Sequence, residues 1–333
     1  MPLRLSILDQ SPIPEGLTAG DALRNTIDLA QLADRLGYHR YWLAEHHGTP
    51  GLAGASPEVM LGPIGLSTKR IRVGTGGIML PHYSALKVAE TFSTLSGLLP
   101  GRLDLGIGRA PGTSGAVARA LQRDRRQPAP DDFPEQLSEL LAYFSPDAPS
   151  LFPVLRSIRF HAPDQIWLLG SSPQSAIWAA QLGMPYAFAD FINPEGAAFT
   201  KIYREHFQPS PTCPKPVVAI ATWAICAETD EEALRLSASM RMTSLMLFRG
   251  QLIAIPSVEK ALEFLKQEGL PIEMLPAGRR ILTGSPASLR TALETVAADY
   301  GAEELLAVNI MYDHAARRRS YQFLADAFSL DQT

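Results

Sequence analysis

The sequence predicts an α/β fold, a (β/α)8 TIM barrel with insertions after strand 4 and before strand 8. Three observations lead there. Eight short apolar runs alternate with stretches of helical spacing, as parallel strands joined by helical crossovers do. The runs are apolar on both faces, as strands buried between helices are. The residues after the runs are polar or glycine-rich, among them Asp9-Gln10, Glu45-His46-His47, Gly170-Ser171-Ser172, Asp190 and Asp313-His314, as strand ends at the functional face of a barrel are.

The elements follow in order. Leu3–Leu8 is the first strand, ending at Asp9-Gln10-Ser11-Pro12. Leu23, Ile27, Ala30, Ala33 and Leu36 then recur three or four apart, a helix opened by a capping box at Thr18–Asp21 and closed by Gly37. Tyr41–Ala44 is the second strand, stopped by Glu45-His46-His47-Gly48, and Pro57–Leu66 is a helix. Ile71–Leu80 is the third strand, with glycines at its centre, and Ala85–Leu99 a helix stopped by Pro100-Gly101. Leu103–Gly108 is the fourth strand. Gln165–Leu169 is the fifth, followed by Gly170-Ser171-Ser172-Pro173 and a helix over Gln174–Leu182. Tyr186–Phe191, Val217–Ala227 and Leu305–Tyr312 complete the eight, with helices at about Gly196–Phe207, Asp230–Phe248 and Ser320–Phe328. Residues 110–164, with Arg123-Asp124-Arg125-Arg126 and repeated prolines, are the main insertion; 249–284 are the second and a candidate lid.

The 333 residues are 46% apolar and 19% charged, enough to bury a core without staples. A net charge of −4 excludes a general nucleic-acid or membrane-binding surface. Cys213 and Cys226 are too few for a disulfide framework or a zinc cage. The first residues lack the long apolar core of a signal peptide, and no apolar run reaches the roughly 18 residues of a membrane span. A single domain over 1–333, in the cytoplasm, is expected.

Three constellations could carry chemistry. Gly106-Ile107-Gly108-Arg109-Ala110-Pro111-Gly112 fails the dinucleotide fingerprint, because the third glycine is one place late and Pro111 takes its slot. It is either a glycine turn leaving a crowded strand or a close approach to a flat ligand, with Arg109 offered to an anion. Gly170-Ser171-Ser172-Pro173 offers amides and hydroxyls to a phosphate, or is an ordinary N-cap with Pro at N1; Thr283-Gly284-Ser285-Pro286 nearly copies it. His46 and His47 are adjacent, so on a strand they face opposite ways and do not chelate one ion; no metal site is expected. One imidazole facing the cavity could handle protons.

Taken together, four segments match a known family in order and spacing. They are Tyr41-Trp42-Leu43-Ala44-Glu45-His46-His47, Val73-Gly74-Thr75-Gly76-Gly77-Ile78-Met79-Leu80-Pro81, Pro100–Gly112, and Trp178-Ala179-Ala180-Gln181-Leu182-Gly183-Met184-Pro185. With the end at Tyr312–Tyr321, they resemble the single-chain, bacterial luciferase-like flavin-dependent monooxygenases over nearly the whole chain. The resemblance implies the barrel already reached and an FMN site at its strand C-termini. It places His46 beside the flavin as a proton-handling group, with Glu45 or a neighbour orienting it. It implies a non-proline cis peptide at Gly76-Gly77 under the isoalloxazine, with Gly108 nearby. Arg109 and the Gly170-Ser171-Ser172 loop would hold the phosphate. The implied reaction takes reduced FMN as co-substrate, delivered by a separate flavin reductase. With O2 it forms a flavin C4a-(hydro)peroxide that oxidises a small organic substrate. A homodimer is implied. Relatives that transfer hydride with a deazaflavin, and non-catalytic flavin-binding subunits, are the rival readings. Where luciferase itself has a reactive cysteine beside the flavin, this chain has Gly108, so light emission is not implied.

Overall fold

Nine parallel strands form one sheet in the computed structural model, which describes residues 3–110, 113, 115–122, 125–127, 131–145, 160–276 and 278–332. Eight close into a barrel. β1 (Arg4–Asp9), β2 (Arg40–Leu43), β3 (Arg72–Met79), β4 (Leu103–Gly108), β5 (Gln165–Gly170), β6 (Tyr186–Ala189) and β7 (Val218–Cys226) are neighbours in chain order. A final strand, β9 (Glu304–Val308), pairs with β7 on one side and β1 on the other. The predicted (β/α)8 barrel is therefore present.

The ninth strand, β8 (Ile281–Gly284), has no counterpart in the sequence reading; four residues are too few to show a period. It pairs with Trp223–Cys226 of β7, whereas β6 pairs with Val218–Ala221. Trp223 pairs with Val308 of β9 as well, so β8 runs on the β6 side of β7 and extends that slot towards the C-terminal face.

The helices between strands are α1 (Ala19–Arg35), α2 (Pro57–Ser67) and α3 (Ala85–Leu98). Then come α4 (Gly115–Leu121), α5 (Phe133–Phe144), α6 (Pro173–Gln181) and α7 (Ala197–Glu205). The rest are α8 (Asp230–Leu236), α9 (Ala238–Phe248), α10 (Val258–Gln267), α11 (Pro286–Tyr300) and α12 (His314–Ala327). Thr18 and Asp21 form the expected capping box on α1, with Thr18 N donating to Asp21 at 2.9 Å, and Gly37 takes a left-handed φ of 81°. The helix expected over Asp230–Phe248 splits at Ser237, whose hydroxyl bonds back to Leu234 O and accepts Arg241 Nε. The last helix begins at His314 rather than Ser320, because Asp313 caps it through Ala316 N. β6 and β9 end earlier than expected, at Ala189 and Val308. The first insertion carries α4 and α5, and the second carries α10 and β8. Pro111, Gly112, Arg123 and Asp124 lie outside the described residues.

Strand residues alternate between two cores. Leu5, Ile7, Tyr41, Leu43, Val73, Leu105 and Ile107 pack outward against the helices. Leu8, Trp42, Trp167, Ala187, Ala219, Ala221, Leu306 and Val308 fill the barrel. Its N-terminal half is plugged by charge. Buried Arg40 pairs with Glu304 at 2.5 Å and Asp104 at 2.7 Å, and its guanidinium lies 5.2 and 4.8 Å from the Trp42 and Trp167 rings. A groove of about 1460 Å³ lies beyond this plug, against Leu3, Leu141, Met184 and Val217. That is the strand N-terminal face, which barrels use for stability rather than chemistry. At the opposite face, Ile255 N and Glu15 N exchange hydrogen bonds with Ile13 O and Ile255 O, and Ile13 N reaches Gly51 O. The second insertion is thus stitched onto the loops after β1 and β2.

Candidate active site

On the inner faces of β3 and β4 the alternating positions are Gly74, Gly76, Gly106 and Gly108. These positions carry no side chains of their own; Leu8, Trp42 and, from neighbouring β5, Leu169 pack over Gly74, Gly76 and Gly106, and Phe191 and Trp223 stack on each other further round the barrel. Backbone has closed in on Gly74 and Gly106, and side chains on Gly76. A Cβ at Gly106 would lie 2.2 Å from Thr75 O, and one at Gly76 would lie 2.6 Å from Leu8 and 3.2 Å from Trp42. At Gly108 it would meet the flexible end of Met79, at 3.0 Å. The Gly76–Gly77 peptide is cis.

His46 follows β2, in the inward register of Arg40, Trp42 and Ala44. Its backbone N donates to Gly54 O at 2.8 Å, which fixes the loop. Its Nδ1 is buried and has no partner among the described residues. Burial, and then the neighbouring His47, push its pKa down to about 4, so the ring is neutral at pH 7. Glu45 does not orient it. The Glu45 carboxylate is turned to the other side, with Oε1 2.7 Å from His47 Nε2 and Oε2 accepting Met79 N at 2.9 Å. The reason is register: Glu45 and His47 are two apart and share a face that His46 does not.

Arg109 leaves β4 exposed. It pairs with exposed Asp131 at 3.0 Å, a weak tie, and lies 5.5 Å from the centroid of Trp178 on α6. Ser172 caps that same helix with Pro173 at N1, so its N-cap reading holds. Ser171 carries the loop to the region after β6, its carbonyl accepting Asn193 Nδ2 at 3.2 Å. Gly170 is dictated by packing, since a Cβ there would lie 2.1 Å from Ser175 Oγ, which also bonds Tyr186 OH at 2.8 Å. The structure therefore brings Arg109 against the helix that opens at Ser172, with His46 and the glycines on the neighbouring strand ends.

Two features were less visible in sequence. Asp190, after β6, is fully buried and accepts Thr222 Oγ1, Arg280 Nη2 and Tyr300 OH at 2.6–2.8 Å, tying the end of β6 to β7, to the residue before β8 and to α11. Its position after an apolar run was the only signal. Trp223 Nε1 is buried without a partner among the described residues, and sits inside an apolar strand where nothing marks it.

Fold and site define an α/β-barrel protein whose candidate site gathers His46, the β3 and β4 glycines, Arg109 and the start of α6 at the strand C-termini. The comparisons then give the family. A family model described as luciferase-like monooxygenase matches residues 3–304, and the chain belongs to that family. An uncharacterised Bacillus subtilis protein, YwcH, is 42% identical over 98% of this chain and 99% of its own. The N-acetyl-S-alkylcysteine monooxygenase of the same organism is 37% identical over 98% of both chains. A crystal structure of apo-MsnO8 shares 40% identity at TM-score 0.90, covering 100% of this chain and 99% of its own. At lower identity the fold alone is shared. One such barrel is the oxygenating constituent of a Pseudomonas putida diketocamphane monooxygenase in complex with FMN (20%, TM-score 0.71, 98% and 97% covered). Another is an F420-dependent secondary alcohol dehydrogenase (14%, TM-score 0.67, 98% and 99% covered). Among the described residues, no helix is long and apolar enough to cross a membrane.

Proposed function

We propose that the chain is an FMN-dependent monooxygenase that takes reduced flavin and O2 to oxidise a small organic substrate, working as one barrel domain over 1–333. The observation that carries this reading is His46: a neutral imidazole with a buried, unpartnered Nδ1, beside the strand ends at Gly76–Gly77 and Gly108, of which Gly108 has only the flexible end of Met79 over it. A buried polar atom without a partner is costly and calls for an explanation. A flat, polar-edged ring system against the strand end at Gly108, with its edge to His46, provides one, so the residues fit a flavin.

The roles follow from position. Arg109, with its permanent charge, and the N-terminal amides of α6 beyond Ser171 and Ser172 would hold the phosphate. Bound reduced flavin would supply the electrons and the oxygen-activating chemistry. His46 holds or accepts a proton at Nδ1 and, with a pKa of about 4, starts as the acceptor at neutral pH. Trp223, Phe191 and Ile310 exclude water from the opposite wall. A separate reductase would deliver the flavin. A homodimer is supported by the exposed apolar residues Val59 and Leu66 on α2 and Leu98 on α3.

The test is a titration of the purified chain with FMN, riboflavin and a deazaflavin such as F420, read with oxygen uptake on adding reduced FMN. FMN-selective binding and oxygen uptake coupled to product support the proposal; a panel of S-alkyl N-acetylcysteines is a reasoned first substrate set. Deazaflavin binding without oxygen uptake would replace it by hydride transfer. Flavin binding without turnover of any substrate would indicate a binding subunit.

A further inference from the structure

We propose that Glu45, His47 and His82 form a binding site for a divalent transition-metal ion of the zinc class, between the ends of β2 and β3. The site uses none of the residues assigned to the flavin, and the inference does not rest on the proposed function.

Register brings the three together. Glu45 and His47 share the outer side of the extended chain after β2, opposite His46. His82 ends the short 3-10 turn Leu80–His82 that follows β3. One ligand atom from each residue lies within 4.8 Å of the others. The His47 and His82 rings meet edge to face, with centroids 5.6 Å apart at 88°. Zinc bonds to histidine N and carboxylate O are about 2.0–2.2 Å, which puts tetrahedral ligands roughly 3.4 Å apart. The donors therefore need shifts of about 1 Å: Glu45 Oε1 and His47 Nε2 part from 2.7 Å, and His82 closes in.

The surroundings resemble those of a metal site. The Glu45 carboxylate accepts Met79 N at Oε2 (2.9 Å) and also the Tyr83 hydroxyl, the outer-shell anchoring that ligating carboxylates need, while Oε1 faces His47. Glu45 is fully buried and forms the floor, while His47 and His82 are partly exposed and leave an entry. A second carboxylate stands close. Glu58, in the first turn of α2, has a buried Oε2 with no partner among the described residues. Two imidazoles and one carboxylate with a side open to water is a three-ligand set that zinc accepts, with solvent at the fourth position.

The experiment uses the chelator-stripped full chain, titrated with ZnCl2 by calorimetry and with CoCl2 by visible absorption. The expected result is one ion per chain, with the d–d bands of a four-coordinate Co2+ site. His82→Ala and His47→Ala should each weaken Zn2+ at least by the roughly 10- to 100-fold that loss of an outer-shell partner already costs. Glu45→Gln, which keeps an oxygen for Met79 N, should do the same. His206→Ala, an exposed histidine at the end of α7, should bind as the parent does. Thermal melts of the three variants check that they are folded. Binding that is equal in His82→Ala and the parent, binding lost equally in His206→Ala, or no stoichiometric binding would each overturn the proposal.

Discussion

The Arg109 guanidinium lies over the Trp178 ring, 5.5 Å from its centroid, so the end of β4 and the helix opened by Ser172 share one cation. Among the described residues its anionic partner is exposed Asp131, which a phosphate can displace at little cost. Arg109→Ala is therefore expected to weaken FMN by roughly tenfold or more, the worth of a charged hydrogen bond. Riboflavin, which lacks the phosphate, should bind nearly as before. Fluorescence titrations with both ligands check this; equal losses for the two would remove Arg109 from the phosphate site.

His46→Asn is expected to leave flavin binding within a few-fold of the parent. It should lower substrate oxygenation by about 10²- to 10⁴-fold, the range for a lost general acid–base group. Turnover measured at saturating reduced FMN checks this. An unchanged rate would make His46 a packing residue.

The same residue makes a stability prediction. Its folded pKa of about 4 lies below the 6.5 of an unperturbed histidine, so the unfolded chain takes up this proton first. The contribution is fully present above about pH 6.5 and is lost as pH falls towards 4. Denaturant melts of the parent should therefore lose stability faster across that window than melts of His46→Asn. Parallel curves would contradict the burial assigned to the ring.

The glycines separate packing from ligand space. Gly106→Ala puts a Cβ 2.2 Å from a backbone oxygen and should destabilise by about 1–3 kcal/mol or more. Gly108→Ala meets only the end of Met79 and should fold normally while weakening FMN. Thermal melts and flavin titrations of both variants distinguish the two effects.

Asp9 and Arg317 form a buried pair at 2.6 Å that joins β1 to α12. Burial raises the Asp9 carboxyl, but Arg317, the Tyr41 hydroxyl and Ser11 N outweigh it and hold it below 3.8. This pairing contributes stability above about pH 4 that is lost as pH falls through the lowered pKa. Arg317→Met leaves Asp9 buried and unpaired, at a cost of about 3–5 kcal/mol near pH 7. With Arg317 gone, burial raises the Asp9 pKa, so the gap between variant and parent should start to narrow above pH 4, as the variant's carboxyl protonates, and narrow further below it as the parent loses its pair. Urea melts at several pH values check the sign.

The barrel was legible because its signals are periodic and long: apolar runs on both faces, helical spacing between them, and caps such as Thr18–Asp21. β8 and α10 were not. Four residues of β8 carry no period, and α10 presents only Val258, Ala261 and Leu265 as a buried stripe. The candidate site was legible where it follows strand ends, as at His46, Arg109 and Ser172. What escaped was contact between distant segments. That His82 would reach Glu45 and His47, or that Glu45 would turn away from His46, depends on how β2 and β3 align, which no single segment encodes.

In the proposed function, the strand ends beside His46 bind reduced FMN for reaction with O2. The most direct test mixes the FMN-reduced chain with oxygenated buffer, with and without substrate, and follows oxygen uptake and product together. One oxygen consumed per product, lost in His46→Asn, is the predicted result. Tight deazaflavin binding with no oxygen uptake, or flavin oxidation at the rate of free FMN, would contradict it.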